Sequence, residues 1–279
     1  MFSQHPDNAY APYWHHQAYI RTHKEIQECY LMFKELGADE MMWDWEGKLV
    51  DESVIEKLLM NHQDFFSKKL LGRDIFLTFR VPNPSIESGY RLARACMVIL
   101  SAQHVAQAAG LHTPPLFEVI LPMTESAKEI IDLQRSFGEV ARAVHTSFGM
   151  QETHVHTLEV LPLFERVETL INSGNILREY VDLVRQSQGA PPLYLRPFCA
   201  RSDPALNSGI VPTTLAIKWA LSEYARFTQE TDIATYPVIA AGSLPFRGGL
   251  APATVERFMS EFPGVRTVVI QSAFRYDHP

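Results

Sequence analysis

The sequence predicts an α/β fold, a (β/α)8 barrel of the TIM type, and three observations support this class. Short runs rich in Val, Ile, Leu and Phe recur along the chain, and stretches with helical spacing separate most of them. Such alternation is typical of a parallel sheet with helical crossovers. The runs are apolar almost throughout, as expected of a sheet covered by helices on one face and filled on the other. The alternative, an open doubly wound sheet, often carries a GxGxxG motif after its first strand, and none occurs here.

The predicted elements follow one another in regular order. The strand-like runs lie at residues 40–45, 75–79, 117–121, 157–161, 193–198, 236–241 and 266–270. The helical stretches lie at residues 85–109, 126–148, 166–188, 205–228 and 252–261.

Seven strands are one too few for this barrel, and the seventh ends nine residues before the C-terminus. Either a strand near the N-terminus escapes the count, or the barrel is incomplete at its C-terminal end because the chain is part of a longer protein. We therefore predict one catalytic domain over residues 1–279, a partial barrel with an N-terminal extension.

Composition excludes several function classes. The 25 Lys and Arg against 32 Asp and Glu give a formal net charge of −7, which argues against a nucleic-acid partner. No run of about 18 apolar residues predicts a membrane span, and the N-terminal segment lacks a signal-peptide pattern. The three cysteines, Cys29, Cys96 and Cys199, are far apart and are expected to be reduced thiols of a cytoplasmic protein.

Polar residues cluster where the predicted strands end, which is where barrels of this kind carry their chemistry. Glu165 and Asp203 follow the fourth and fifth strands, and two carboxylates with open positions suit a hard cation such as Mg²⁺. Four arginines also stand at strand ends, and their guanidinium forks match phosphate and carboxylate groups. They are Arg80, Arg201, Arg247 and Arg275. The loop at 242–249, GSLPFRGG, would let backbone N–H groups approach a phosphate.

These strand ends together predict a site for a small phosphorylated carboxylate and a metal. A single Glu, Asp or Arg at a strand end is more often structural, so the prediction depends on the convergence of five strand ends. His154 and His156 resemble a metal-binding pair, but they stand at the start of their strand and are interpreted as structural. The residues alone do not favour His5, since chain ends are usually mobile.

Six short segments, in chain order, resemble phosphoenolpyruvate carboxylase in its short archaeal-type form. They are QHPDN at 4–8, TFR at 78–80, LPLFE at 161–165, ARSDPALN at 200–207, GSLPFRGG at 242–249 and QSAFRYD at 271–277. The segments span the whole chain, and the resemblance implies a barrel like that of other phosphoenolpyruvate- and pyruvate-binding enzymes.

The resemblance implies that phosphoenolpyruvate and bicarbonate react to oxaloacetate and phosphate, with Mg²⁺ or Mn²⁺, through carboxyphosphate and the pyruvate enolate. It implies that Glu165 and Asp203 bind the metal, that His5 promotes carboxyphosphate breakdown, and that Arg80 and Arg247 hold the phosphate. The residues expected to bind substrate are Arg201, Asn207, Ser243, Gly248, Gly249 and Arg275. It also implies an anaplerotic, cytoplasmic enzyme that forms a homo-oligomer, by resemblance a tetramer.

The sequence departs from the family pattern in two ways. The larger enzymes have a lysine three positions after the metal-binding aspartate, where this chain has Leu206; Arg201 and Asn207 are the candidates to replace it. Family members of the short type are also longer, so the chain is expected to be an N-terminal portion. Two alternatives remain open: a non-catalytic remnant that binds a partner, and another Mg²⁺-dependent lyase that acts through a pyruvate enolate.

Overall fold

The computed structural model describes residues 1–3, 11–17, 19–46, 49–148 and 158–278. Within these ranges the strands are β1 (Phe2–Ser3), β2 (Glu40–Asp44), β3 (Phe76–Arg80), β4 (Glu118–Leu121), β5 (Glu159–Phe164), β6 (Tyr194–Leu195), β7 (Phe198–Cys199), β8 (Ala234–Thr235), β9 (Val238–Ala241) and β10 (Thr267–Gln271). The helices are α1 (Thr22–Lys34), α2 (Val54–Asn61), α3 (Gln63–Phe66), α4 (Gly89–Ala108), α5 (Ala127–Phe148), α6 (Val167–Gln188), α7 (Ser202–Ser208), α8 (Ile210–Thr231), α9 (Val255–Glu261) and α10 (Phe274–Asp277).

The predicted (β/α)8 barrel is confirmed. Eight parallel strands close in the order β1, β10, β9, β7, β5, β4, β3, β2. The eighth strand is β1, which pairs with β2 in the register Phe2↔Met41 and Ser3↔Met42. The count of seven strands, and with it the barrel left open at its C-terminal end, is therefore wrong. A strand of two residues leaves no apolar run that a sequence pattern could detect.

Proline separates neighbouring strands in two places. The predicted strand at 193–198 is divided, with β6 before Pro197 and β7 after it. The predicted strand at 236–241 contains β9 after Pro237, and β8 precedes that prediction at residues 234–235. Proline has no N–H to give to a ladder, so each run changes partner at that residue. β6 and β8 make a separate two-stranded parallel sheet, while β7 and β9 belong to the barrel.

The chain divides into two compact units. The first unit comprises residues 1–120, 134–159 and 278–279, and the second comprises residues 121–133 and 160–277. In the first unit β2 and β3 pair in parallel, so that Asp44 and Arg80 are partners at the ends of their strands. Trp43, Phe66 and Phe79 are fully buried in its core.

The second unit contains the strands that carry most of the predicted site. β5 pairs with β7 through Phe164↔Cys199, and β7 pairs with β9 through Cys199↔Ile239. β9 pairs in turn with β10, and α6 packs against α8. Because the strands are parallel and in register, their carboxyl ends and the loops that follow lie at one edge. None of the helices in the part of the chain that the structure describes is long and apolar enough to cross a membrane.

Candidate functional site

Glu165 directly follows β5, and a backbone N–H of the loop after β4 donates to its carboxylate. The side chain is half-buried, and the Met123 N–H donates to Oε2 at 2.6 Å. Met123 has φ of 51°, in the left-handed region that residues other than glycine rarely adopt. The loop after β4 therefore takes an uncommon backbone conformation at the residue that orients Glu165.

Asp203 lies in the first turn of α7, the helix that begins after β7, and it is exposed. A carboxylate at this place is favoured by the N-terminal end of a helix. Since β5 and β7 pair through Phe164 and Cys199, Glu165 and Asp203 follow neighbouring strands of one ladder. That their oxygens lie close enough to share a cation stays a prediction.

The donor set limits which metal would fit. Among the described residues, no group of three or more His, Cys, Asp or Glu is placed to hold a metal ion. Two carboxylates with room for water and substrate oxygens suit Mg²⁺ or Mn²⁺, whereas zinc sites are built from several His and Cys ligands. His154 and His156 lie outside the described residues.

The loop at 242–249 is closed by its own hydrogen bonds. The N–H groups of Gly248 and Gly249 donate to the carbonyls of Pro245 and Leu244 at 3.0 and 3.2 Å, and Gly242 N–H donates to the Arg247 carbonyl at 2.8 Å. Gly248 and Gly249 have φ of 102° and 70°, which favours glycine. In this conformation both glycine amides are hydrogen-bonded inside the loop, and the cationic side chain of the loop is that of Arg247.

Arg247 is oriented by contacts along its whole length. A Cβ on Gly242 would lie 2.8 Å from Arg247 Cδ, so the stem packs against a residue without a side chain. The guanidinium carbon lies 5.4 Å from the centre of the Phe246 ring, and Nη1 donates to Gln271 Oε1 at 2.5 Å. Gln271, at the end of β10, was not among the predicted site residues, although a polar residue ending an apolar strand is a signal of this kind.

Arg201 is buried beside this loop, with 4% of its surface exposed. Nη1 donates to Thr214 Oγ1 at 2.8 Å, and the guanidinium carbon lies 5.8 Å from the centre of the Phe262 ring. Burial lowers the pKa of the guanidinium, and the negative charge of Glu261 partly opposes this shift. A buried guanidinium remains charged at neutral pH because its ordinary pKa is so high.

The other predicted substrate-binding residues lie in the same unit. Ser243 Oγ donates to the carboxylate of Asp277 in α10, the helix that also contains half-buried Arg275. Asn207 is exposed on α7, next to Leu206, whose side chain is 71% exposed and offers no polar group where the larger enzymes have lysine.

Arg80, in the first unit, is bound by two carboxylates that the sequence analysis missed. Nε and Nη2 donate to the two oxygens of Asp44 at 2.8 and 2.6 Å, and Nη1 lies 2.8 Å from Glu46 Oε2. An acidic residue inside the apolar run EMMWDW was the available signal. An anion bound at Arg80 would have to share it with these carboxylates. His5 lies outside the described residues.

None of the three cysteines forms a disulfide. All three are free and buried. Burial raises the pKa of the Cys199 thiol to about 12, so that this residue is a neutral thiol beside the loop at neutral pH.

The closed parallel barrel with alternating helices belongs to the TIM-barrel class of folds. The family model described as phosphoenolpyruvate carboxylase matches residues 1–279. The chain therefore belongs to the phosphoenolpyruvate carboxylase family, as its six motifs predicted.

Relatives named phosphoenolpyruvate carboxylase match over the whole chain. The protein of Leuconostoc mesenteroides is 42% identical over 281 residues, that of Pyrococcus horikoshii 41% over 293, and that of Metallosphaera sedula 40% over 291. The matches cover 100% of this chain but 56%, 60% and 56% of those proteins, so the chain spans little more than half of their length. Among solved structures, RipC from Yersinia pestis is similar at 15% identity and a TM-score of 0.41, covering 87% of this chain and 88% of that one.

Proposed function

We propose that this chain is the barrel portion of a phosphoenolpyruvate carboxylase, which converts phosphoenolpyruvate and bicarbonate to oxaloacetate and phosphate. The observation that carries the proposal is the family match over all 279 residues, and the motifs that lie within the described residues stand at the ends of barrel strands. The relatives are longer, so the proposal concerns the activity of the whole polypeptide.

In the proposed reaction, a bicarbonate oxygen attacks the phosphorus of phosphoenolpyruvate and the bond from phosphorus to the enol oxygen breaks. The products of this step are carboxyphosphate and the pyruvate enolate. Carboxyphosphate then breaks into CO₂ and phosphate, and carbon 3 of the enolate attacks CO₂ to form oxaloacetate. Each step moves negative charge, so preorganised cations are the main requirement of the site.

Arg247 is the residue best placed to bind the phosphoryl group. Its stem packs against Gly242, its guanidinium lies near the Phe246 ring, and one terminal nitrogen donates to Gln271. Little further ordering of the side chain is therefore needed when an anion binds. A guanidinium fork matches two phosphate oxygens at once. Ser243, Gly248 and Gly249 lie in the same loop and Arg275 lies in α10, and we include all four in the proposed substrate site. The two glycines contribute the turn that they allow, since their amides are hydrogen-bonded within the loop.

Glu165 and Asp203 would hold the divalent cation, Mg²⁺ or Mn²⁺, as a pair of oxygen ligands at neighbouring strand ends. When bound, such a cation supplies Lewis-acid stabilisation of negative charge on the substrate. Met123 N–H donates to Glu165 Oε2 and orients this carboxylate. The assignment of His5 to carboxyphosphate breakdown rests on the QHPDN segment alone.

The remaining parts of the proposal follow from the family. We assign the enzyme to anaplerotic carbon fixation in the cytoplasm, as a homo-oligomer and by resemblance a tetramer. Water must be kept from carboxyphosphate and the enolate, which it would hydrolyse and protonate.

The test is to join this chain to the remaining portion of a relative and to measure oxaloacetate and phosphate with and without bicarbonate. We expect both products in equal amounts, only with bicarbonate and Mg²⁺, and strongly reduced in Glu165→Gln and Asp203→Asn. Glu168→Gln, at an exposed carboxylate one turn away, is the matched control and should behave as the parent. Product without bicarbonate would favour the other lyase, and binding of phosphoenolpyruvate without any product would favour the non-catalytic remnant.

A further inference from the structure

We propose that Arg201 is a positioning residue, whose buried guanidinium supports the turn at Gly248 and thereby holds the loop that carries Arg247. The structural part stands on contacts within the second unit. The consequence for substrate binding rests on the proposed function.

Arg201 is buried without the partner that a buried cation usually has. It is 4% exposed, and in the described part of the chain no carboxylate forms an ion pair with it. Glu261, the acidic residue whose charge acts on it, is paired with Lys218 at 3.3 Å. Nε is buried with no hydrogen-bond partner among the described residues. Because burying an unpaired charge costs free energy, stability alone gives no reason for an arginine here.

The turn of the loop at Gly248 lies next to this guanidinium. A Cβ on Gly248 would lie 3.4 Å from Arg201 Nε and 3.1 Å from Phe258 Cε2, so the turn is in close contact with both side chains. Gly248 has φ of 102°, and its missing side chain is what allows the approach. Arg201 therefore occupies the space against which this turn closes.

The first residue of the loop, Gly242, is in contact with the second arginine, Arg247, which belongs to the same loop. Gly242 packs against the stem of Arg247, and the Gly242 N–H and Arg247 carbonyl are hydrogen-bonded at 2.8 Å. Gly248 and Arg247 are consecutive, so a shift of the turn away from Arg201 moves the backbone from which the Arg247 side chain projects. Support at Gly248 is thus transmitted to Arg247 through one peptide unit.

The shape of the guanidinium explains why arginine suits this position. Its central carbon lies 5.8 Å from the centre of the Phe262 ring and Nη1 donates to Thr214 Oγ1 at 2.8 Å, so two contacts orient the guanidinium. A lysine ammonium keeps the charge, but it has neither the planar face nor the fork. Comparing the two substitutions therefore separates support of the loop from a purely electrostatic effect.

The experiment measures the loop and the ligand separately in Arg201→Lys and Arg201→Met. Hydrogen exchange of residues 242–250 and tryptic cleavage after Arg247 report on the loop, and titration with phosphoenolpyruvate in the presence of Mg²⁺ reports on binding. We expect both variants to exchange and to be cleaved roughly tenfold faster, the effect of losing about one charge-assisted hydrogen bond. The dissociation constant should rise by a similar factor while the thermal midpoint changes little.

Arg178→Met is the matched control, because Arg178 is also an arginine of the second unit but pairs with Glu230 at 2.9 Å on α8. It should change neither the loop nor the titration. Thr214→Val is a milder variant that removes the acceptor of Arg201 without altering the cation, and it should loosen the loop in the same direction.

Three outcomes decide the proposal. Unchanged exchange and cleavage in folded Arg201→Met, or in Thr214→Val should Arg201→Met fail to fold, would overturn it. Parental behaviour of Arg201→Lys would also overturn it, since charge alone would then suffice. If the loop is loosened in the variants but the parent protein does not bind phosphoenolpyruvate, the positioning role is supported and the proposed function is contradicted.

Discussion

Arg80 donates to both carboxylate oxygens of Asp44, with Nε 2.8 Å from Oδ1 and Nη2 2.6 Å from Oδ2. The two residues are register partners at the ends of β2 and β3, so the pair joins neighbouring barrel strands at their carboxyl ends. The Asp44 side chain is 1% exposed and that of Arg80 15%. At such burial water screens an ion pair only weakly. Removing one partner therefore lowers the free energy of unfolding more than it would for a surface pair.

Replacing Asp44 with asparagine should destabilise the protein by about 3 kcal/mol, because Arg80 loses the buried partner of its bidentate pair and keeps only Glu46. Chemical denaturation measures this. Glu46→Gln, which removes the more exposed carboxylate on Arg80, should cost clearly less. Equal losses of unfolding free energy in the two variants would show that the bidentate pair stabilises the protein no more than the contact with Glu46.

Replacing Arg247 with lysine should reduce the activity of the complete enzyme on the order of 10²-fold, the effect of removing one preorganised transition-state donor. The charge is kept, but the fork that meets phosphate oxygens and Gln271 is lost. Steady-state kinetics measure this, with Arg257→Lys at an exposed position of α9 as the control. Near-normal turnover would mean that the loop arginine is structural.

Glu159 should make stability depend on pH. Burial, and then the negative charge of Glu118, raise the pKa of its carboxyl above the ordinary value. A raised pKa in the folded state means that the folded protein holds this proton more tightly than the unfolded chain. The resulting stability is present at low pH and is lost as the pH rises through the folded-state pKa.

Glu159→Gln should therefore raise the thermal midpoint at pH 7 to 8 relative to the parent. The difference should disappear below about pH 4, where the carboxyl is protonated in both states. Melting curves across this range test the prediction, and Glu168→Gln should show no such trend. A constant difference at all pH values would assign the effect to packing rather than to ionisation.

The outward face of α8 should promote self-association. Val211, Leu215 and Trp219, spaced one turn apart, are 68%, 63% and 52% exposed. Exposed apolar side chains at this spacing form a continuous ridge. The variant Leu215→Glu with Trp219→Glu should reduce association in sedimentation velocity and change the free energy of unfolding by no more than about 0.5 kcal/mol. Leu193→Glu, at another highly exposed leucine, is the control, and an equal effect there would refute a role specific to the ridge.

The sequence by itself determined the class of fold, the family and the strand ends at which the site would lie. Barrel strands are apolar on both faces, so seven of them were visible as apolar runs, and polar residues at their ends were visible by contrast. Glu165, Asp203, Arg201 and Arg247 were predicted in this way. The structure places Glu165, Arg201 and Arg247 directly after a barrel strand or in the loop that follows it, and Asp203 in the first turn of the helix after β7.

Only the tertiary structure decided how the barrel closes and what holds each site residue. β1 exists because its two residues find partners in a strand some 40 positions away, which no local pattern reports. The partners of the site residues are equally distant: Met123 is 42 residues from Glu165, Asp44 is 36 from Arg80 and Gln271 is 24 from Arg247. A hydrogen bond needs atoms within about 3 Å. Periodicity and propensity describe neighbours along the chain, whereas folding alone brings such distant atoms together.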